Sequence, residues 1–358
     1  MIFFYCVVPI YNVCDYIIEC LESLLAQEYR HFKAILVNDG STDNSGKIAE
    51  SYSKKDARFV YLSQSNKGVS SARNTALDYI FSKILNRGGG QEHNKNGKNK
   101  LDSANFSLDS ATRTFAESSA ESTQHSAYIA FLDPDDFLEK DALSQIAEIL
   151  SKNLVDTFIS NQFFSLSGGE KHNLNYKIFK RELENRAIHT DELLHKAPDT
   201  LITTICAFVF RAEILQNARF YENLCYGEDV LFCTEATLKS SAIYIDGRAI
   251  YNYRIRENSA VRDESREKII AKANAMFFIA EYFYEKLQND KQLRKFYIFN
   301  IRQSIKKIIR FLQKYDCSAM DFDRQDLAKF LPYMDFKRKI ALQFPRIYNL
   351  PKTLKRRI

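Results

Sequence analysis

The sequence concentrates acidic residues directly after an apolar, strand-like run. Residues 131–136 read Phe-Leu-Asp-Pro-Asp-Asp, so Asp133, Asp135 and Asp136 place three acids within four positions. That much negative charge at one strand end is costly unless a cation balances it. Helix capping accounts for one acid but not for three. Because hard carboxylate oxygens suit Mg²⁺ or Mn²⁺ carrying a diphosphate, we predict a divalent metal at this cluster of three acids.

Two further motifs follow strand-like runs near the N-terminus. Pro9 and Tyr11 belong to the sequence Val-Pro-Ile-Tyr-Asn at 8–12, where we expect the proline to end the strand and the tyrosine ring to face a crevice. Asp39 lies in Val-Asn-Asp-Gly-Ser-Thr-Asp at 37–43. It is either part of a capped turn or a hydrogen-bond acceptor for a nucleobase edge.

A fourth motif, Gly-Glu-Asp-Val-Leu-Phe, begins a helical pattern at Gly227. Acids in the first turn of a helix ordinarily complement the helix dipole. The alternative is that Asp229, or Glu228 in second place, acts as a general base.

These motifs require a scaffold that brings strand ends together. Apolar strand-like runs alternate with helical patterns through the first half, which is typical of βαβ units around a mostly parallel sheet. Ligands of such sheets bind beyond the carboxyl ends of the strands. Asn12 and Asp15 form a variant capping box that predicts a helix directly after the first strand. The predicted strands are 3–8, 33–38, 58–62, 127–132, 155–160, 206–210, 242–246 and 250–254.

Composition limits the class of protein. The chain has 358 residues, 45% hydrophobic and 27% charged, which excludes a collagenous or wholly disordered chain. We predict a catalytic domain at 1–256 and a helical basic region at 257–358. Residues 86–126 contain three consecutive glycines and many Asn, Lys and Ser residues, so we predict a low-complexity, disordered insertion there.

The four motifs, taken in order, resemble the inverting family 2 glycosyltransferases with a GT-A-type, Rossmann-like sheet flanked by helices. The resemblance implies a metal-dependent hexosyl- or N-acetylhexosaminyltransferase. Its donor would be a nucleotide-sugar, expected to be a UDP-sugar, and its acceptor a hydroxyl of a glycan or a lipid-linked molecule. The implied pathway is bacterial lipooligosaccharide, capsule or other surface polysaccharide synthesis. The matching segments are VPIYN at 8–12, ECLESLLAQEY at 19–29, VNDGSTDNS at 37–45, NKGVSSARN at 66–74, FLDPDDF at 131–137 and GEDVLF at 227–232.

The resemblance also implies residue roles on the donor side. The Pro9–Tyr11 turn and Asp39 would hold the base, and Arg73 would help to hold the nucleotide. Arg254 would pair with phosphate, although a solvated surface arginine is the alternative.

For the reacting groups, the resemblance implies a metal ligand and a base. Asp135 would be the direct metal ligand, while Asp133 would face the ribose or the metal. Asp136 would support or touch the donor sugar. Asp229 would take the proton of the acceptor hydroxyl, so that direct displacement inverts the anomeric carbon.

Charge is unevenly distributed along the chain. Residues 291–358 contain 18 Lys/Arg and 5 Asp/Glu, a net charge of +13, which leaves −7 for residues 1–290 out of a total of +6. Residues 291–314 predict an amphipathic basic helix whose apolar face docks on the protein or lies on an anionic bilayer. No nucleic-acid-binding motif accompanies these charges, so we expect no nucleic-acid partner.

The N-terminus has no basic stretch or cleavage site typical of a signal peptide, and no run is long enough to span a membrane. Seven cysteines without metal-ligand spacing indicate reduced thiols. We therefore predict a cytoplasmic protein, peripheral at most on the inner face of the membrane.

Two other functions were considered. A nucleotidyltransferase predicts a Gly-rich basic loop after the first strand, where this chain has Pro-Ile-Tyr-Asn. A catalytically silent membrane-associated scaffold predicts loss of the acids, all of which are present.

Overall fold

This computed structural model describes residues 1–88, 126–167, 170–174, 177–256, 265–312, 320–335 and 337–339. Residues 89–125 of the predicted insertion and residues 340–358 of the basic tail lie outside the described ranges. Within them, ten strands form one sheet. The strands are β1 (Ile2–Ile10), β2 (Phe32–Asp39), β3 (Phe59–Gln64), β4 (Ser126–Phe131), β5 (Phe137–Leu138), β6 (Thr157–Ser167), β7 (Glu170–Leu174), β8 (Arg186–His189), β9 (Phe208–Arg211) and β10 (Ala242–Arg254).

The strand order is β3-β2-β1-β4-β9-β6-β10-β5, with β7 paired to β6 and β8 to β10. The first four strands of this order are parallel. Strand β9 runs antiparallel to both of its neighbours, while β6 and β10 are again parallel to each other. The predicted α/β class is confirmed. The half of the sheet that contains β9, β6 and β10 mixes parallel and antiparallel strands.

Helices cover both faces of the sheet, which explains why β1 and β2 are almost continuously apolar and buried. The described helices are α1 (Ile17–Leu25), α2 (Ser45–Lys55), α3 (Val69–Gly88), α4 (Ala142–Lys152), α5 (Thr190–Lys196), α6 (Glu228–Lys239), α7 (Arg266–Asn289), α8 (Arg294–Leu312) and α9 (Arg324–Ala328).

The predicted capping box after β1 is wrong. Helix α1 begins only at Ile17, and Tyr16 at its N-cap makes no capping hydrogen bond through its side chain. Asn12 instead adopts a left-handed backbone conformation with φ of 48°, and its Oδ1 accepts a hydrogen bond of 2.8 Å from the Thr42 backbone N–H. Asn12 therefore joins the loop after β1 to the loop after β2.

The prediction that Pro9 ends the first strand is also wrong, because β1 continues to Ile10 and Pro9 pairs in register with Val37. The Val7 carbonyl accepts a hydrogen bond from Leu132 N–H, so Val7 faces the β4 side of the strand. Pro9, two residues later, faces the same side, where β4 has already ended. No ladder hydrogen bond is lost, and the proline is tolerated.

The two strands predicted at 242–246 and 250–254 form one strand, β10. Its pairing with β6 shifts register between Asp246 and Ala249 and again between Ala249 and Asn252. Such irregularities bend a strand without ending it. The continuous strand delivers Tyr251 and Arg254 to the loop that follows β4.

The C-terminal helices pack as an antiparallel-type pair on the body of the protein, with α7 lying along α8. The predicted apolar face of α8 is buried, which confirms docking on the protein as its arrangement. Phe296 of α8, for example, lies 6.2 Å from the Phe283 ring of α7. None of the described helices combines the length and apolarity that a membrane crossing requires. The buried apolar residues of this face are Phe296, Tyr297, Ile301, Ile305, Ile308, Ile309 and Leu312.

Gly227 links these helices to the start of α6. It caps α6 with a φ of 74°, and a Cβ built there would lie 2.8 Å from Ile279 Cδ1 and 2.9 Å from Met276 Cε of α7.

We expect Gly227→Ala to lower the free energy of unfolding by about 2–4 kcal/mol, from backbone strain and overpacking together. Gly68 has a φ of 92° and no atom within 4 Å of a built Cβ, so it is the matched control. Urea denaturation of Gly68→Ala should show the strain alone, about 1–2 kcal/mol, and equal losses in the two variants would contradict the packing role.

Candidate active site

The acid loop after β4 is held by the end of β10. The Tyr251 hydroxyl and the Arg254 backbone N–H each donate a hydrogen bond of 2.8 Å to the Asp136 carboxylate. The Tyr251 oxygen also accepts a hydrogen bond of 3.2 Å from Asp133 N–H. Asp136 is only 1% exposed. Of its two predicted roles, support of the site and contact with the donor sugar, this burial favours support.

Burial and neighbouring charge raise the pKa values of two acids of this loop, Asp135 and Asp136. Burial, assisted by the charges of Asp133 and Asp135, raises the pKa of Asp136 to about 8. Burial and then Asp133 raise the pKa of Asp135, and this is partly opposed by Arg256. The loop therefore holds more negative charge than its surroundings solvate well, as the sequence predicted.

Two arginines at the end of β10 compensate this charge. Arg256 Nη2 lies 2.6 Å from Asp135 Oδ2, and the Asp135 backbone carbonyl accepts a hydrogen bond of 2.9 Å from Arg254 Nε. Arg254 also forms an ion pair with Glu19. Both guanidinium groups lie over the Tyr16 ring, that of Arg256 at 5.1 Å and that of Arg254 at 5.3 Å from its centroid. Arg256 thus occupies the place of a cation beside the predicted metal ligand.

Arg73 connects the acid loop to the start of α6. Its guanidinium donates a hydrogen bond of 3.1 Å to Asp133 Oδ1 and one of 3.0 Å to Glu228 Oε1, and it lies 5.2 Å from the Phe220 ring centroid. Arg73 is 4% exposed. Burial acts to lower the pKa of Arg73, but the charges of Asp133 and Glu228 raise it overall. The group stays ionised and bridges two of the predicted motifs.

Asp229 is held differently from its neighbour. Its Oδ2 accepts hydrogen bonds of 3.0 Å from Thr203 Oγ1 and 2.9 Å from Thr204 N–H. Thr204 has a φ of 70°, a costly conformation for a β-branched residue, and such strain is concentrated at functional sites. Glu228 is occupied by Arg73, and burial together with the Asp229 charge raises the pKa of Glu228. Both acids are partly exposed, but Glu228 is engaged by Arg73, so Asp229 is the better placed of the two to meet a substrate.

The remaining predicted residues lie at the ends of β1 and β2. The Asp39 carboxylate is 2% exposed and holds the segment before α3, because it accepts hydrogen bonds of 2.9 Å from Lys67 N–H and 2.8 Å from Gly68 N–H. Gln64 Nε2 donates another bond of 2.8 Å to it. Tyr11, by contrast, is 47% exposed and presents its ring to solvent.

The structure therefore brings the predicted residues together in two groups. Pro9, Tyr11 and Asp39 lie at the ends of β1 and β2, while the acid loop, Arg73, Arg254 and the start of α6 form a connected network. Arg256, Thr203 and Thr204 were not predicted. An arginine two residues beyond Arg254 in an alternating strand is the signal that would have found Arg256.

The donor atoms near Asp133 and Asp135 fit a divalent cation. Both side chains are partly exposed, at 34% and 15%. Within the described part of the chain, no three His, Cys, Asp or Glu side chains converge into a complete metal cage. A Mg²⁺-type site does not need one, because one or two carboxylates and the substrate phosphates suffice.

Comparison with known proteins agrees with this geometry. The profile of glycosyl transferase family 2 matches residues 5–85. The glycosyltransferase EpsJ of Bacillus subtilis is 27% identical over 255 residues, covering 71% of this chain and 61% of EpsJ. GlyA of Streptococcus pneumoniae is 26% identical, and the match covers 75% of this chain and 33% of GlyA. The minor teichoic acid biosynthesis protein GgaB of B. subtilis is 28% identical, and the match covers 76% of this chain and 24% of GgaB. The chain thus spans less than two thirds of the length of these relatives.

The fold has solved counterparts. S. aureus TarS in complex with UDP-GlcNAc superposes with a TM-score of 0.53 at 19% identity, covering 99% of this chain and 83% of that one. This likeness shows a shared α/β fold, that of the GT-A-type glycosyltransferases. Residues 5–85 are therefore similar to glycosyl transferase family 2, and EpsJ and GlyA are glycosyltransferases by name.

Arg256 provides a test of the charge balance at the acid loop. Because its guanidinium neutralises Asp135, we expect Arg256→Gln to raise the affinity of the donor-free protein for Mn²⁺ about tenfold. The measurement is the loss of the free Mn²⁺ electron paramagnetic resonance signal on titration. Arg248→Gln removes an equal charge from the Asp246 pair elsewhere on β10 and should leave this affinity unchanged. An unchanged or weaker affinity in Arg256→Gln would show that the ion pair does not compete with metal.

Proposed function

We propose that this protein transfers a sugar from a UDP-sugar to a hydroxyl group of a glycan or lipid-linked acceptor, with inversion at the anomeric carbon. The observation that carries the proposal is the Arg73 bridge, which ties the Asp133 side of the acid loop to the Glu228–Asp229 pair. One connected network therefore holds the groups suited to a diphosphate beside a carboxylate suited to a proton. The UDP-GlcNAc complex of TarS supports the donor class, and the relatives EpsJ and GgaB support surface-glycan synthesis as the setting.

Asp135 and Asp133 would hold Mg²⁺ or Mn²⁺, which, when bound, would stabilise the negative charge that develops on the departing nucleoside diphosphate. Asp136 keeps the loop in place through Tyr251 and the Arg254 backbone. The guanidinium groups of Arg254 and Arg256, at the edge of the same loop, are suited to phosphate oxygens.

On the donor side, Tyr11 would stack against the base at the end of β1. Asp39 shapes the same pocket by holding the backbone at Lys67 and Gly68, and it would accept a hydrogen bond from the base edge. Arg73 would hold the nucleotide side of the loop through Asp133. These roles follow the resemblance and the positions of the residues at the strand ends.

Asp229 would act as the general base. Thr203 and Thr204 N–H orient its carboxylate by binding one oxygen, Oδ2. The proton of the attacking hydroxyl passes to this carboxylate as the new glycosidic bond forms and the sugar–phosphate bond breaks. No covalent enzyme intermediate is required.

We expect Asp229→Asn to reduce the turnover of a UDP-sugar by about 100- to 10,000-fold while leaving UDP binding intact, because only proton removal is lost. Asp135→Asn should instead raise the Mn²⁺ concentration needed for half-maximal rate. The measurement is the release of UDP from UDP-sugars and of GDP from GDP-sugars, with Mn²⁺ or Mg²⁺. Full activity in both variants would contradict these roles, and the absence of turnover with every donor and metal would contradict the function.

We further propose that the basic face of α8 lies against an anionic membrane surface on the cytoplasmic side. Because the apolar face of α8 is buried, attachment would rely on charge and not on insertion into the bilayer. Lys295, Lys306 and Arg310 are exposed on this basic face. A lipid-linked acceptor would make such attachment useful to the enzyme.

Vesicle flotation tests this attachment. Replacing Lys295, Lys306 and Arg310 together by Gln should weaken binding to phosphatidylglycerol vesicles by about 100-fold, at about 1 kcal/mol per charge. The control is the charge-preserving triple variant with Arg, Arg and Lys at these positions. Salt at about 1 M should release the wild type, since it reduces the Debye length to about 3 Å. Equal recovery with neutral phosphatidylcholine vesicles would contradict an electrostatic attachment.

A further inference from the structure

A lysine of the C-terminal helices contacts the segment that carries Asp229. Lys307 Nζ of α8 donates a hydrogen bond of 3.3 Å to the Tyr226 hydroxyl and lies 5.0 Å from the centroid of the Tyr226 ring. Lys272 of α7 approaches the same ring, with its Nζ at 5.8 Å from the centroid. Two ammonium groups from two helices therefore meet one aromatic side chain.

Tyr226 stands three residues before Asp229. Gly227, between them, packs against Met276 and Ile279 of α7, and its carbonyl accepts the hydrogen bond of 3.1 Å from Val230 N–H that opens α6. The ring and its lysines are thus fixed to the same tight turn that presents the proposed base.

The charge of Lys307 is not balanced on its own helix. Residues 291–314 contain eight Lys/Arg and no Asp or Glu. Among the described residues, the Lys307 ammonium group contacts the hydroxyl and the ring of Tyr226 and forms no ion pair. Lys307 is half-buried, at the border between the apolar face of α8 and its exposed basic face with Lys306 and Arg310. A partly buried cation placed in this way attracts an anion.

We propose that Lys307 and Tyr226 bind a phosphate group carried by the acceptor. This inference rests on the proposed function and specifies its acceptor as a phosphate ester. An ammonium group and a phenol hydroxyl both donate hydrogen bonds to phosphate oxygens. The pair would hold the phosphate at a fixed distance from Asp229 and so select which hydroxyl is presented to the base. A neutral glycan would gain nothing from this site.

The test uses a fluorescent oligo(glycerol phosphate) and an oligoglycerol of the same length without phosphate. We expect the full-length wild type to bind the phosphate probe in preference, by microscale thermophoresis, and Lys307→Gln to weaken that binding about tenfold. Lys306→Gln is the matched control, since it removes the same charge from the adjacent exposed position. It should change the affinity less than twofold. Lys307→Arg should restore most of the affinity, and circular dichroism melting verifies that each variant is folded.

Three outcomes overturn the proposal: equal binding of the two probes by the wild type, equal losses in Lys307→Gln and Lys306→Gln, or loss only in a variant that has unfolded. Phosphatidylglycerol vesicles distinguish a lipid headgroup from an acceptor phosphate as the source. If Lys307→Gln weakens vesicle binding but not binding of the soluble probe, the site serves lipid and the proposal is wrong. UDP release by the wild type without acceptor tests the proposed function separately, so failure of one can be told from failure of the other.

Discussion

The buried guanidinium of Arg73 is the contact on which the arrangement of the site depends. It joins Asp133, which follows β4, to Glu228 in the first turn of α6, over a separation of 95 residues in sequence between the two acids. Taking such a cation out of water is costly, and the cost is offset only while both carboxylates remain in place. Removal of one partner of a buried ion pair typically destabilises a protein by about 3–5 kcal/mol. The distance between the acid loop and Asp229 is therefore set by the same interaction that stabilises both.

A second constraint follows from the acids themselves. Asp135 and Asp136 are largely buried, and burial together with the charge of Asp133 raises the pKa of both, with a further contribution of Asp135 to Asp136. Residues at the end of β10 compensate this negative charge. Tyr251, Arg254 and Arg256 bind the carboxylates of Asp135 and Asp136 and the backbone carbonyl of Asp135. The side chains of the site are thus held by one another, with a guanidinium in contact with the proposed metal ligand. In the proposed reaction, Asp135 and Asp133 would hold the metal, and a donor diphosphate would offer the nearby arginines another anion.

The sequence predicted the features that are encoded locally. Apolar runs bounded by turn residues placed the strands of the first half to within about three residues, and the acid cluster is recognisable because its members are adjacent. The partners of those acids are not local: Arg256 lies 121 positions from Asp135. Asn12 failed as a helix cap for the same reason, since a side chain suited to capping its own helix is equally suited to a backbone N–H 30 residues away. Only the fold decides between the two.

Lys307 and the buried face of α8 show where the positive charge of the C-terminal region lies in the structure. The negative part of the molecule contains the acid loop and Asp229, and the positive part begins at α8. Were the apolar face of α8 free, that helix would be suited to insertion into a bilayer; because it is buried, only its charges remain to act on partners. These charges extend from the exposed Lys306 and Arg310 to Lys307 beside Tyr226. An anionic surface and a phosphate-bearing acceptor would thus be attracted by basic side chains that extend along α8 to the turn carrying Asp229.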